Sequence, residues 1–193
     1  IINPDSGNIF LDDKNITSMP IYERARLGIG YLPQEPSIFR KLTVRNNLKA
    51  VLEIKYDGNK EAMQRIDDEV NQLLEEFNLT EFADREGYKL SGGERRRAEI
   101  ARAIALRPIF MLFDEPFAGI DPLAVVELTK TIKQLKNRGI GVIITDHNVR
   151  ETLAITDRAF IIHSGKLLAE GSPDTLVNDP VVREAYLGEE FRL

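Results

Sequence analysis

Two short, uninterrupted apolar runs constrain this chain most. Ile109 to Phe113 stops at Asp114-Glu115-Pro116, and Ile140 to Thr145 stops at Asp146-His147. Runs of this length that do not alternate with polar residues read as strands buried on both faces, which is the pattern of a parallel sheet covered by helices on each side. Helical stretches flank both runs. Ser91 to Leu106 precedes the first, and Asp121-Pro122 opens a helix whose Val125, Leu128, Ile132 and Leu135 share one face, with Gly139 as its stop. An α/β fold follows from that alternation.

The rest of the chain elaborates this core. Asn8 to Leu11 and the turn Asp12 to Asn15 suggest a hairpin, Ile21 to Leu27 a short helix ending at Gly28, and Ile29 to Leu32 a further strand broken at Pro33-Gln34. Thr43 looks like the cap of a helix reaching about Tyr56, and Asp57-Gly58-Asn59 is a turn. From Lys60 to Phe77, Met63, Ile66, Val70, Leu73, Leu74 and Phe77 recur at helical spacing, which predicts one amphipathic helix. This helical stretch, about residues 43–90, reads as an insertion into the α/β pattern. A hairpin follows around Ser164-Gly165, then two short helices with Pro173 and Pro180 at their first positions.

Composition narrows the classes. With 193 residues, no cysteine and a net charge of −5, the chain has neither a disulfide framework nor a zinc-thiolate site, and its acidity speaks against nucleic acid as a partner. No apolar run approaches the 18 residues that a membrane-spanning helix needs.

Ligands of open α/β sheets bind beyond the carboxyl ends of the strands. Three strands here end in Gln34, Asp114-Glu115 and His147. A carboxylate in such a place often only caps a helix, and a strand-end His is often structural; two adjacent carboxylates before Pro116 also suit a metal ligand beside a water-orienting base. His163, in the hairpin, reads as structural or solvent-exposed. Leu90-Ser91-Gly92-Gly93-Glu94 is a capping box whose two glycines are costly inside a helix and suit the approach of an anion to the helix start; both readings apply. Asp121 reads first as a helix cap, and Glu94-Arg95-Arg96-Arg97, next to Glu99, as a solvated helix face.

In their order and spacing, Gln34, Leu90 to Glu94, Ile109 to Glu115, Asp121 and His147 resemble the Q-loop, signature motif, Walker B strand, D-loop and switch histidine of the ATP-binding cassette ATPases. The resemblance spans essentially the whole chain and implies a P-loop NTPase (RecA-like) core with an inserted helical subdomain. It implies ATP and Mg²⁺ as ligands, Asp114 and Gln34 on the metal, Glu115 as general base and His147 on the γ-phosphate. Ser91, Gly92, Gly93 and Asp121 would face nucleotide across a head-to-tail homodimer. Within the family, Tyr31 to Glu35, Ser37 to Thr43 and Tyr186 to Leu193 are similar to the ATPase subunit of lipopolysaccharide exporters, and branched-chain amino-acid importers share much of this. The same likeness implies a transmembrane partner seated near Phe39 and Arg40, against the alternative of a plain surface loop. It also implies a cytoplasmic location, peripheral on the inner membrane face. A non-transport relative or a catalytically dead module are the other classes; the interval between Gln34 and Ser91 leaves no room for a long coiled coil, and intact Asp114, Glu115 and His147 speak against decay.

One departure stands out. No G-x-x-x-x-G-K-[ST] segment occurs in the 193 residues. The resemblance puts that loop upstream of Pro4-Asp5-Ser6-Gly7, so Ile1-Ile2 is expected to be the tail of the helix after it, and the chain an N-terminally truncated domain that does not bind ATP in its own primary pocket. Losing an interior strand would expose about five buried side chains at about 1.5–3 kcal/mol each, comparable to a typical net stability of about 5–15 kcal/mol. The 193 residues alone are therefore expected to aggregate or remain partly molten.

Overall fold

Three parallel strands carry the fold: β3 (Ile29–Leu32), β4 (Phe110–Asp114) and β5 (Gly141–Thr145), hydrogen-bonded in the order β3-β4-β5. They run in step, with Tyr31 beside Leu112 and Leu112 beside Ile143, then Leu32 beside Phe113 and Phe113 beside Ile144. The computed structural model describes residues 4–57 and 59–187. Ile1-Ile2 (the expected helix tail), Gly58 of the expected turn and residues 188–193 of the C-terminal likeness lie outside the described residues.

Before the sheet come a two-residue hairpin, β1 (Phe10–Leu11) with β2 (Lys14–Asn15), and α1 (Ile21–Arg26). Gly28 joins α1 to β3 at φ 95°, and a Cβ there would meet the Ile109 side chain at 2.9 Å, so only glycine fits this turn. After β3, α2 (Val44–Lys55) starts at Thr43, whose hydroxyl accepts from the Asn46 amide at 3.1 Å. The signature segment opens α5 (Gly92–Ala105), and α6 (Pro122–Asn137) follows β4. Gly139, at φ 77°, ends α6 as expected.

The expected single helix from Lys60 to Phe77 is instead two: α3 (Lys60–Met63) and α4 (Ile66–Glu76). Asn59 caps the first through the Ala62 amide, and the chain breaks at Gln64-Arg65. Because the break resets the helical phase, Met63 leaves the apolar stripe and is exposed, whereas Ile66, Val70, Leu73 and Leu74 are buried.

One hydrophobic cluster runs through both the sheet and the helices α2 and α4. It joins Leu48, Leu52, Val70 and Leu74 to Ile100, Met111, Phe113 and Leu135. A smaller cluster of Leu153, Ile161, Leu176 and Val182 lies beneath the C-terminal elements α7 (Val149–Leu153), the antiparallel pair β6 (Ala159–His163) and β7 (Lys166–Gly171), α8 (Pro173–Asn178) and α9 (Pro180–Val182). His163 is exposed at the end of β6.

The sheet departs from the expectation of cover on both faces. Met111 and Phe113 of β4 are buried, while the row on the opposite face, Tyr31, Leu112 and Ile143, is open enough to leave Ile143 52% exposed. The outer edge of β5 pairs with no strand among the described residues. Apolar strands with one covered face and outer edges that pair with no strand among the described residues invite association. The 193-residue polypeptide on its own is thus expected to bind a hydrophobic dye such as ANS and to elute above monomer size. A dye-silent, monomeric sample with a cooperative melt would contradict this.

Candidate functional site

Parallel strands in register end at one edge, and here that edge collects the polar groups. Gln34 follows β3 after Pro33, Asp114 ends β4, and Asp146-His147 follows β5. Gln34 donates through Nε2 to Glu115 Oε2 at 2.9 Å, and His147 Nδ1 lies 3.4 Å from the same oxygen. Gln34 and His147, which follow the two strands flanking β4, thus meet at one oxygen of Glu115, which follows β4 itself.

Asp114 points to the other side of the strand end. Its Oδ1 accepts from the Thr145 hydroxyl at 2.8 Å and its Oδ2 from the Tyr31 hydroxyl at 3.1 Å. Partial burial, followed by the bond to Asp114, raises the Tyr31 phenol above its ordinary value. Among the described residues no group of three or more His, Cys, Asp or Glu side chains could hold a metal by itself. The oxygen donors expected to hold a metal, Asp114 and the Gln34 amide, are too few for a protein cage and would suit Mg²⁺ completed by water and phosphate; Asp114 bonds to Thr145 and Tyr31, and Gln34 to Glu115.

The backbone beneath these groups is strained. Glu115 has φ 41°, a left-handed conformation unusual for a residue with a side chain, and its amide donates to the Thr145 carbonyl at 2.7 Å. Asp146 fixes the same region from below. Its fully buried carboxylate accepts from the Phe117 amide at 2.9 Å and the Asn148 amide at 2.8 Å, tying the segment after Glu115 to the turn that carries His147.

Ser91 forms the expected capping box: its amide donates to Glu94 Oε2 at 2.8 Å and its hydroxyl accepts from the Glu94 amide at 3.3 Å. The two glycines differ. A Cβ on Gly92 would meet nothing within 4 Å, so its surroundings are open to a ligand, whereas one on Gly93 would stand 3.3 Å from Ala124 Cβ of α6. Close α5–α6 packing therefore accounts for Gly93 as well as any anion does. Gly92 borders the depression that also holds Gln34, Glu115 and Gly119. Asp121 caps α6, accepting from the Leu123 and Ala124 amides at 3.0 Å each.

Phe39 is half-exposed, with the Arg102 guanidinium 4.7 Å over its ring. Its amide donates to Asn47 Oδ1 at 2.9 Å, and Asn47 Nδ2 reaches the Phe39, Leu42 and Thr43 carbonyls. Arg40 is exposed, and its carbonyl accepts from the Tyr88 amide at 3.1 Å.

The solvated-face reading of Glu94 to Arg97 is corrected. Arg96 is buried and Glu99 is 2% exposed; Arg97 pairs with Glu127 of α6. Burial lowers the Arg96 guanidinium below its ordinary value, with Glu99 opposing. These charges are inside because the loop 33–38 brings unpaired backbone groups against α5. Sequence reading also missed Asp146, Asn47 and Thr145. For Glu99 the available signal was a lone acid among apolar neighbours, Ala98, Ile100 and Ala101; Asn47, between Asn46 and Leu48, carries no such signal.

Comparison with known proteins bears on the family and the fold. The model of the ABC transporter family matches residues 1–118, and that of the branched-chain amino acid ATP-binding cassette transporter matches residues 166–192. The chain is 53% identical over 193 residues to the lipopolysaccharide export system ATP-binding protein LptB of Escherichia coli K12, covering all of this chain and 79% of that protein. The LptB of Acidithiobacillus ferridurans is also 53% identical, with 78% of its length covered. A probable ABC transporter ATP-binding protein of Azorhizobium caulinodans is 58% identical, with 67% covered. Among solved structures, an ABC-transporter cassette in its ADP conformation aligns with a TM-score of 0.80 at 28% identity, over 97% of this chain and 79% of that one. The fold is thus that of the P-loop NTPase cassettes.

Asp146 gives the site its test. Asp146→Ala in the full-length protein removes the acceptor of two amides and is expected to cost about 1–3 kcal/mol. Urea unfolding monitored by circular dichroism checks this, and an unchanged midpoint would remove Asp146 from its anchoring role.

Proposed function

Because this chain belongs to the ATP-binding cassette transporter family, we propose that the full-length protein is the ATP-hydrolysing subunit of a bacterial lipopolysaccharide exporter. The whole-chain identity to two proteins named for lipopolysaccharide export supports the substrate, and the convergence of Gln34 and His147 on Glu115 carries the chemistry.

The geometry supports the division of labour that the family resemblance implies. Glu115 is the general base that orients the attacking water; Gln34 and His147 hold its carboxylate and present polar atoms toward the transferred phosphoryl group. Asp114, kept in place by Thr145 and Tyr31, is the metal-side carboxylate, with Gln34 as the second ligand. Mg²⁺ bound there would supply positive charge to the phosphates, and catalysis would consist mainly of positioning and electrostatic stabilisation. Ser91, Gly92, Gly93 and Asp121 act across a homodimer on the nucleotide of the opposite subunit. The open surroundings of Gly92 suit that role.

The coupling partner is a transmembrane subunit seated at Phe39 and Arg40, beside Tyr88, which places the protein on the cytoplasmic face of the inner membrane. No helix among the described residues is long and apolar enough to cross a membrane. Since the 193 residues hold no phosphate-cradling G-x-x-x-x-G-K-[ST] loop, they do not hydrolyse ATP by themselves. The match of residues 166–192 to branched-chain amino acid transporters favours a second reading, an importer ATPase. Copurified membrane subunits of an exporter or of an amino-acid permease would decide between them.

In the full-length protein, Glu115→Gln is expected to lower turnover at least about 10²-fold while ATP binding persists. Steady-state phosphate release and nucleotide titration measure the two separately. Unchanged turnover would remove Glu115 from its role.

A further inference from the structure

The loop carrying Gln34 has a support that the strand order alone does not require. Pro33 and Ser37-Ile38 flank Gln34-Glu35-Pro36, and all three flanking residues are bound to one face of α5. Arg96 Nη1 donates to the Pro33 carbonyl at 2.8 Å. Glu99 Oε1 accepts from the Ser37 amide at 2.6 Å and the Ile38 amide at 3.1 Å. Arg102 Nη2 donates to the Ser37 carbonyl and hydroxyl, each at 2.9 Å. Arg96, Glu99 and Arg102 recur every three residues along the helix, so they form one row.

Glu99 is central to this row. Its carboxylate is buried, its second oxygen faces Arg96 Nη1 at 3.5 Å, and both of its amide partners lie on the far side of Gln34 from Pro33. A buried carboxylate that accepts two backbone N–H groups is strongly held, and removing it leaves two donors and an arginine without their partner. The two ends of the Gln34 turn are therefore fixed to a single helix, and that helix begins at Ser91-Gly92-Gly93.

We propose that Glu99 is a positioning residue for Gln34: by binding Ser37 and Ile38 it sets the turn that presents Gln34 to Glu115, so that the sensor side chain moves with α5 rather than with β3 alone. This rests on the reading of Gln34 and Glu115 as the ATPase centre. The side-chain bonds of Glu99 go to Ser37, Ile38 and Arg96, and its effect on turnover passes through Gln34.

A double-mutant cycle on the steady-state ATPase of the full-length protein, with Mg-ATP as substrate, tests it. Gln34→Ala and Glu99→Ala are each expected to lower kcat about 10-fold, the scale for losing a group that orients an active-site residue, with KM for ATP within about twofold. The double variant is expected to be no slower than Gln34→Ala alone. Losses that multiply would overturn the proposal, since they would mean that Glu99 acts on the fold at large. Should Glu99→Ala unfold, Glu99→Gln keeps the volume and an oxygen for the two amides, so it is expected to hold kcat within about threefold of wild type. A folded Glu99→Gln as slow as Gln34→Ala would overturn the proposal, since the acceptor for Ser37 and Ile38 would still be present. Wild-type protein no faster than Glu115→Gln would overturn the ATPase reading itself, and this proposal with it, a result that leaves the cycle with nothing to compare.

Discussion

The in-step pairing of β3, β4 and β5 is the constraint from which the rest follows. Leu32, Phe113 and Ile144 sit side by side, so the three strands run out of hydrogen-bonding partners at nearly the same level. Whatever follows each strand must turn away there, and the residues at the turn are Gln34, Glu115 and His147. A slip of one residue in β3 would invert its faces, sending Leu32 out of the core and Tyr31 into it. The site is therefore as well defined as the register, and the register is held by the burial of Leu32, Met111 and Phe113 against the helices.

Strand ends alone leave loops, and loops need their backbone groups answered. In this protein the answers are polar side chains, two of them carboxylates, and buried. Asp146 takes the amides after β4 and β5, Glu99 those after Gln34, and Asn47 bonds to Phe39 and the next turn. Each is a polar side chain inside an otherwise apolar setting. Together they connect the strand-end cluster to α2 and α5, and so to the surface around Phe39 and to the start of the signature helix.

Much of this was legible before any coordinates. The apolar runs gave β4 and β5, the Thr43 and Ser91 caps gave the starts of α2 and α5, and ordered motifs gave the strand-end residues, because each is a local pattern with a local cause. The failures share a different origin. The break at Gln64-Arg65 carries no proline or glycine, so periodicity read straight across it. Arg96 and Glu99 looked solvated because their partners, Pro33 and Ser37, lie more than sixty residues away in sequence. The open face bearing Ile143 reads as buried from composition alone, since a strand's own residues do not record what covers them. Close packing of Gly93 on Ala124 was equally hidden, as a motif glycine invites a ligand explanation first.

Glu115 stands at a left-handed backbone angle, where a side chain costs on the order of 1–3 kcal/mol. Folding by itself would favour glycine at that position. Selection for stability and selection for chemistry thus pull in opposite directions at one residue. A population of variants screened only for expression or thermal tolerance would drift toward losing the carboxylate, whereas one screened for turnover would hold it and accept the weaker fold.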